Sequence, residues 1–328
     1  MGASVRAVWY ESFGPAEDVL TLGEMAMPEP GPGEVLVRVR ASGVNPSDVK
    51  LRSGARPGAV MAYPRVVPHS DGAGEIVACG PGVSRAEGQR VWLWNCGWQR
   101  AFGSCAAYIA LPSEQAVELP EGTSFEEGAC LGIPAMTAWY TLFSDGPIEG
   151  QTVLVTGGAG TVGRYACQMA RLGGARVITT VSSAQKAVHS GAAEWINYRD
   201  TNVAEAVMEM TGGAGVDRII DVDFAANQEV AVACLTPGGT VASYASASQM
   251  APELQFYPLM FKDITLRMAI VYQLQGAARR AGEAALGAWL AQGALSHAVV
   301  PGGGLESTAA AHDRVAAGEK LGTVVLSL

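Results

Sequence analysis

The rhythm of hydrophobic and polar positions changes near Gly150. Before it, short apolar runs alternate with Gly and Pro punctuation, as in Val35-Leu-Val-Arg-Val-Arg40, Gly74-Glu-Ile-Val-Ala78 and Ala106-Ala-Tyr-Ile-Ala110. Closely spaced runs of this kind predict an all-β module, barrel-like or sandwich-like. Pro28-Glu-Pro-Gly-Pro-Gly33 reads as a loop. After Gly150, apolar runs alternate with helical patterns: Thr152 to Thr156, a helix over Val162 to Leu172, then Ala175 to Val181. Further runs follow at Trp195 to Tyr198, Arg218 to Val222 and Thr240 to Tyr244. Continuous apolar strands separated by helices predict a parallel sheet covered on both faces. Ile264 to Tyr272 reads as one more strand, Gly276 to Gln292 as an Ala-rich helix, and Gly322 to Leu326 as a final strand that could return to the first module.

Composition narrows the function classes. The chain is 49% hydrophobic and only 16% charged, which excludes disorder. Its 41 glycines follow no Gly-X-Y period, which excludes collagen. A net charge of −9 with 22 basic residues argues against nucleic-acid binding, which depends on Lys and Arg neutralising phosphates. No apolar stretch reaches the ~18 residues of a membrane helix. The opening MGASVRAVWYESFG has no apolar signal core, and Arg6 occupies the Ser/Thr position of a myristoylation motif. Asn45-Pro46-Ser47 is no glycosylation site, because proline fills its middle position. A soluble, cytoplasmic protein is expected. Six scattered cysteines without a CxxC pair read as reduced, mostly buried thiols.

The densest glycine cluster is Thr156-Gly157-Gly158-Ala159-Gly160-Thr161-Val162-Gly163. Gly158, Gly160 and Gly163 fit G-x-G-x-x-G, directly after an apolar strand and at the start of a helix. Glycine there permits a tight turn and lets the backbone approach a pyrophosphate. The helix N-terminus then supplies N–H groups and the positive end of its dipole. Gly157, Gly158, Gly160, Thr161, Val162 and Gly163 are therefore candidate cofactor contacts; the bland alternative is a plain glycine-rich turn.

The second strand bears on which dinucleotide is bound. An NAD site places Asp or Glu about 20 residues past the glycines, on the ribose 2′-hydroxyl. This chain has Thr180-Val-Ser-Ser-Ala-Gln-Lys186 instead, with two hydroxyls and a positive charge. That set suits a 2′-phosphate, so NADPH is favoured over NADH. Lys186 could also be an ordinary solvated helix lysine. Asp223 and Tyr244, at the ends of later apolar runs, are further candidate cofactor contacts.

These motifs carry a resemblance. The chain resembles zeta-crystallin-like quinone oxidoreductases, in the zinc-free part of the medium-chain dehydrogenase/reductase superfamily. The landmarks are Ala41-Ser-Gly-Val-Asn-Pro-Ser-Asp48, Arg52-Ser-Gly54, Pro68-His-Ser-Asp-Gly-Ala-Gly74, Gly132-Ile-Pro-Ala-Met-Thr-Ala138, the glycine loop, Ile196-Asn-Tyr-Arg199, Pro237-Gly-Gly239 and Ala311-His312. The resemblance implies an α/β fold: a GroES-like β-rich module from residues 1–125 and 265–328, and a doubly wound Rossmann module from 126–264. It implies NADPH in the cleft between modules, with Ser182, Ser183, Lys186 and Tyr198 around the 2′-phosphate and Asn45 and Thr137 near the nicotinamide. The chain departs from the family in three places. His69 stands where glycine is usual. Gly322-Thr323 replaces a Gly-Lys. A tyrosine often found after Arg-Ser-Gly is missing, since Ala55 and Arg56 follow.

A zinc site is not expected. Catalytic zinc takes about three protein ligands from Cys, His and carboxylates. The zinc enzymes of the superfamily place cysteine where this chain has Asn45, and their histidine slot falls on Ser70, one residue from His69. A structural zinc lobe wants four close cysteines, and only Cys96 and Cys105 lie nearby. His189 and His312 read as ordinary helix residues and His297 as a loop residue.

Without a metal, reduction of an already electrophilic acceptor remains, with the protein supplying orientation and electrostatics. Asn45, Asp48 and Thr137 are the candidate catalytic residues: Asn45 to orient the nicotinamide or acceptor oxygen, Asp48 to stabilise the loop or relay a proton, and Thr137 to support the nicotinamide. For Asn45, an Asx turn before Pro46 is the bland alternative. Trp92-Leu-Trp-Asn-Cys-Gly-Trp98 holds three of seven tryptophans. Trp94, Trp98 and Tyr63 are candidates to line a pocket for a flat acceptor; an ordinary buried strand is the alternative. The expected activity is NADPH-dependent reduction of a quinone or α,β-unsaturated carbonyl. Alternatives are another activated alkene, such as an enoyl thioester, or a non-catalytic NADPH-binding role. The expected partners are a small electrophilic acceptor and a second copy of the chain, since an apolar edge strand at Ile264 to Tyr272 needs covering.

Overall fold

The computed structural model describes residues 3–55, 58–318 and 320–328. Arg56, read above in place of a tyrosine, lies outside the described residues. By its contacts the chain divides into two compact units, Met1–Ile133 with Glu283–Leu328, and Pro134–Gly282.

The first unit is β-rich. It begins with β1 (Ser4–Trp9), α1 (Ala16–Val19), β2 (Thr21–Ala26), β3 (Glu34–Val44) and α2 (Pro46–Ser53). It continues with β4 (Asp71–Cys79), β5 (Arg90–Leu93), β6 (Tyr108–Pro112), β7 (Ala116–Glu118) and the short α3 (Phe125–Gly128). β1 and β2 form an antiparallel pair. The long β3 is the hub of the larger sheet, pairing antiparallel with β4 and β6. Val35, Val37 and Val39 of β3 pack with Ile76, Leu93 and Ile109 in the core. Each such side chain contributes ~1.5–3 kcal/mol of burial.

The second unit follows the βα rhythm. It contains α4 (Met136–Phe143), β8 (Thr152–Val155), α5 (Thr161–Leu172), β9 (Arg176–Val181), α6 (Ala184–Ser190), β10 (Glu194–Asn197) and α7 (Val203–Met210). Then come β11 (Val216–Asp221), α8 (Phe224–Cys234), β12 (Leu235–Ser243), α9 (Phe256–Phe261) and β13 (Thr265–Met268). Its six strands run parallel in the order β10-β9-β8-β11-β12-β13. The chain reverses its direction of winding between β8 and β11. In open α/β sheets, ligands bind at such a switch point, outside the carboxyl ends of the strands.

α10 (Gly276–Ala291) leads back to the first unit, where β14 (Val299–Pro301), α11 (Thr308–Ala317) and β15 (Thr323–Ser327) complete it. β15 pairs antiparallel with β3, so the final strand does return to the β-rich module. Residues 265–282 differ from the expected boundary at 264: they lie in the second unit, because β13 extends the parallel sheet beside β12. The strand expected over Ile264 to Tyr272 is also shorter. β12 ends at Ser243, whose carbonyl accepts from Ala269 N–H, and beyond this Val271–Gln273 coils into a 3₁₀ turn. All six cysteines are free thiols, and all but Cys79 are buried. Among the described residues, no helix is long and apolar enough to cross a membrane.

Candidate functional site

In the second unit the glycine cluster joins β8 to α5. Gly157 has φ 67°, a conformation glycine adopts freely, and its N–H donates to Thr180 Oγ1 at 3.0 Å. A β-carbon on Gly158 would stand 2.0 Å from Thr179 Oγ1, and one on Gly163 2.3 Å from the Gly157 carbonyl. Helix and loop therefore meet backbone to backbone. Gly160 is the N-cap of a 12-residue helix and has no side chain to cover its first N–H groups. Thr161 and Val162 form the first turn. This is a cradle suited to a pyrophosphate, so the residues fit a dinucleotide.

The turn after β9 holds the candidates for its far end. Ser182 is buried, and Ser183 caps α6 by accepting from Lys186 N–H at 3.3 Å. Lys186 thereby sits in the first helical turn. Tyr198 donates its N–H to the Val181 carbonyl at 3.1 Å, which brings it beside Ser182 with its ring exposed. No carboxylate occurs among these residues. Asp223 and Tyr244 lie past the ends of β11 and β12. Asp223 accepts from the N–H and Oγ of Ser248, at 3.0 and 2.7 Å, and so anchors a loop. Tyr244 lines a cavity of about 540 Å³ with Phe224, Met250 and Met268. Thr137 is a buried residue of α4 whose carbonyl accepts from Thr141 Oγ1.

Sequence reasoning missed the hub of this region, Asp221. Its carboxylate, buried at the end of β11, accepts from Thr156 Oγ1, Asn227 Nδ2 and Ser243 Oγ at 3.1, 2.7 and 2.8 Å. Burial raises its pKa, and these three hydrogen bonds oppose the rise. It ties β8, β11 and β12 together at their carboxyl ends. A charged residue closing the apolar run Arg218-Ile-Ile-Asp221 was the available signal.

In the first unit, Asn45 ends β3 and precedes α2. Its N–H donates to Asp48 Oδ2 at 2.8 Å, and its Nδ2 donates to Asp71 Oδ2 at 2.9 Å. Asp71 also accepts from Ile133 N–H at 3.1 Å. All three polar side chains are at most 4% exposed. Burial pushes the Asp48 carboxyl up to about 7, against the hydrogen bonds from Asn45 and from Ser70 N–H.

Asp48 also lines a cavity of about 390 Å³ within this unit. Tyr10, Phe13, Tyr63 and Trp98 contribute aromatic surface to it, and His69 and Ser70 join Asp48 as polar lining. Tyr63 is oriented by donating its hydroxyl to the Gln99 carbonyl at 2.6 Å. Trp94 is buried, and it is not among the lining side chains. His312, read as an ordinary helix residue, instead meets His69 through Nε2 atoms 2.9 Å apart. No local pattern signals a contact between residues 243 positions apart.

Among the described residues, no group of three or more His, Cys, Asp or Glu side chains could hold an ion.

Residues 31–121 match the alcohol dehydrogenase GroES-like domain, and residues 161–286 match the family described as zinc-binding dehydrogenase. The chain is 36% identical over 251 residues to a quinone oxidoreductase of Pseudomonas aeruginosa, covering 74% of each. It is 29% identical to a 2-haloacrylate reductase of a Burkholderia species, covering 98% of each. A mycobacterial protein solved in complex with NADPH superposes with a TM-score of 0.85 at 30% identity, over 98% of this chain and 100% of the other.

Proposed function

The chain belongs to the quinone oxidoreductase family, and from that premise we propose that it reduces a quinone or an α,β-unsaturated carbonyl with hydride from NADPH, without a metal. The observation that carries the cofactor reading is the turn after β9. Ser182, Ser183 and Lys186 present hydroxyls and a positive charge where an NAD site would place a carboxylate. Gly157 to Gly163 and the α5 N-terminus hold the pyrophosphate, and Tyr198 flanks the 2′-phosphate. Thr137 supports the nicotinamide, and Tyr244 borders the cofactor. Asp223 acts on the cofactor site through the Ser248 loop that it anchors. NADPH supplies the hydride; this chain's residues bind, orient and deliver a proton.

The acceptor occupies the 390 Å³ cavity, with its flat face against Tyr63 and Trp98. Asn45, held by Asp71 and not itself among the lining residues, orients the acceptor site through Asp48, whose carboxylate accepts from its N–H. Asp48, poised near neutrality by burial, is the proton source for the acceptor oxygen. An acceptor panel tests this reading: NADPH consumption with quinones and enones supports it, whereas tight NADPH binding without turnover of any acceptor favours a non-catalytic role. The Burkholderia relative supports activated alkenes as a second acceptor class.

A homodimer is part of this reading. β13 is an edge strand, and its last residue Met268 and Ile270 just beyond are exposed, as are Phe256, Tyr257 and Phe261 of α9. Pairing with a second copy covers such an edge. A monomeric mass by light scattering overturns it. The free thiols and the NADPH requirement fit a reducing, cytoplasmic location.

A further inference from the structure

We infer that His69 is a positioning residue for the acceptor site: a buried hydrogen-bond chain beginning at His312 pins it in a left-handed backbone conformation, which sets the Ser70 N–H against the Asp48 carboxyl and the Asp71 carboxylate against Asn45. This inference rests on the proposed acceptor reduction at that cavity.

His69 has φ 77°, an unfavourable conformation for a residue with a β-carbon. Glycine takes it without strain but brings no side chain. Here the imidazole is 1% exposed and fully engaged. Its Nδ1 lies 2.8 Å from Ser42 Oγ, and its Nε2 lies 2.9 Å from His312 Nε2. The two rings are nearly coplanar, at 24°, with centroids 5.1 Å apart, so they meet through their nitrogen-bearing edges. The His69 carbonyl is fixed as well, accepting from Ser104 N–H at 3.0 Å.

The direction of every proton in this chain follows from its far end. Ser104 Oγ donates to the Asp71 backbone carbonyl, which can only accept. Ser104 Oγ, 2.9 Å from Ser42 Oγ, must then accept the Ser42 proton. Ser42 has no second proton, so His69 donates through Nδ1–H. A neutral His69 therefore accepts at Nε2, and His312 donates through Nε2–H. The remaining His312 Nδ1 is a lone pair with no partner among the described residues. Two protonated rings would oppose N–H to N–H, and burial holds both imidazoles below the ordinary histidine range, His312 at about 3, so both are neutral in the fold.

The chain's product is a fixed turn. Ser70 and Asp71 follow His69 directly, and they are the partners of Asp48 and Asn45. His312 lies on α11, so the C-terminal return of the chain locks the polar lining of the cavity. Arg52 faces His312 and is itself faced by Asp313 and Tyr10, while Tyr10, Cys96 and Cys105 face Asp48.

Nitrogen-15 NMR of the imidazoles and carbon-13 titration of the Asp48 carboxyl, on the full chain, test this without requiring turnover. The expected spectrum has His69 as the Nδ1–H tautomer and His312 as the Nε2–H tautomer, both neutral between about pH 5 and 8. Reversed tautomers, or titration of either ring in that range, overturn the inference. In His312→Leu the donor to His69 is gone, and the Asp48 titration shifts by about one pH unit, tenfold in proton affinity. His312→Gln keeps a donor and keeps the wild-type titration. An unshifted His312→Leu titration, or an equal shift in both variants, overturns it. Failure of every acceptor to react would instead overturn the proposed function, and the two titrations are read independently of that result.

Discussion

Asn45 donates its side-chain amide to Asp71 Oδ2 at 2.9 Å, and both residues are buried. Asn45→Ala leaves that carboxylate oxygen without this donor. The oxygen keeps the Ile133 N–H, so the loss is that of one hydrogen bond to a charged group, ~1.5–3 kcal/mol. Urea unfolding should show a loss of that size. The same variant should lower kcat/KM for a quinone at least tenfold if Asn45 orients the acceptor; an unchanged kcat/KM removes that role.

Gly158→Ala places a β-carbon 2.0 Å from Thr179 Oγ1, on the wall of the glycine cradle. Thr179 cannot swing away freely, since it is fully buried and its hydroxyl donates to the Val155 carbonyl at 2.7 Å. The loop must shift, and its N–H groups with it. NADPH titration by fluorescence should show binding weakened at least tenfold. Wild-type affinity in a folded Gly158→Ala protein would contradict the cradle.

Lys186→Glu puts a carboxylate in the first turn of α6, where the 2′-phosphate is proposed. Losing one charge-assisted contact alone costs ~1.5–3 kcal/mol, and the new repulsion adds to it. The ratio of NADPH to NADH affinity should therefore fall by at least tenfold, chiefly through weaker NADPH binding. Equal loss for both cofactors would show that Lys186 does not read the 2′-phosphate.

Asp48 makes two distinct pH predictions. Its folded pKa, about 7, lies above the ordinary ~3.9 of an unfolded chain. Between those values the native state binds more protons than the unfolded state, so this group's contribution to stability falls as pH rises from about 4 to about 7. Asp48→Asn keeps an oxygen for the Asn45 N–H and should flatten that decline, as seen in urea midpoints across the range. If Asp48 is the proton source, wild-type turnover should fall as pH rises through about 7. An unchanged pH profile in Asp48→Asn would remove it from that role.

The sequence disclosed what local spacing encodes. The rhythm change at Gly150, the strand–glycine–helix motif and a final strand at Gly322 to Leu326 are read from neighbouring residues, and β8, α5 and β15 are observed there; that the final strand returns to the first module is implied by the family resemblance. The overlong strand after Ile264 failed because strand length depends on a partner: β12 ends at Ser243, which no local pattern in β13 can reveal. The polar hubs were hidden for a similar reason. Asp221 gathers Thr156, Asn227 and Ser243 from three elements. His69 and His312 meet only because β15 and α11 rejoin the first unit. Residue type alone cannot separate the aromatics: Tyr63 and Trp98 border the 390 Å³ cavity, whereas Trp94, of the same type, is buried and does not.

The most direct test of the account is NADPH oxidation by the purified protein across a panel of quinones and α,β-unsaturated carbonyls, run beside NADH and without added metal. The account predicts turnover of at least one acceptor class, faster with NADPH than with NADH and insensitive to chelator. Tight NADPH binding with no acceptor reduced, or activity that chelation abolishes, would contradict it.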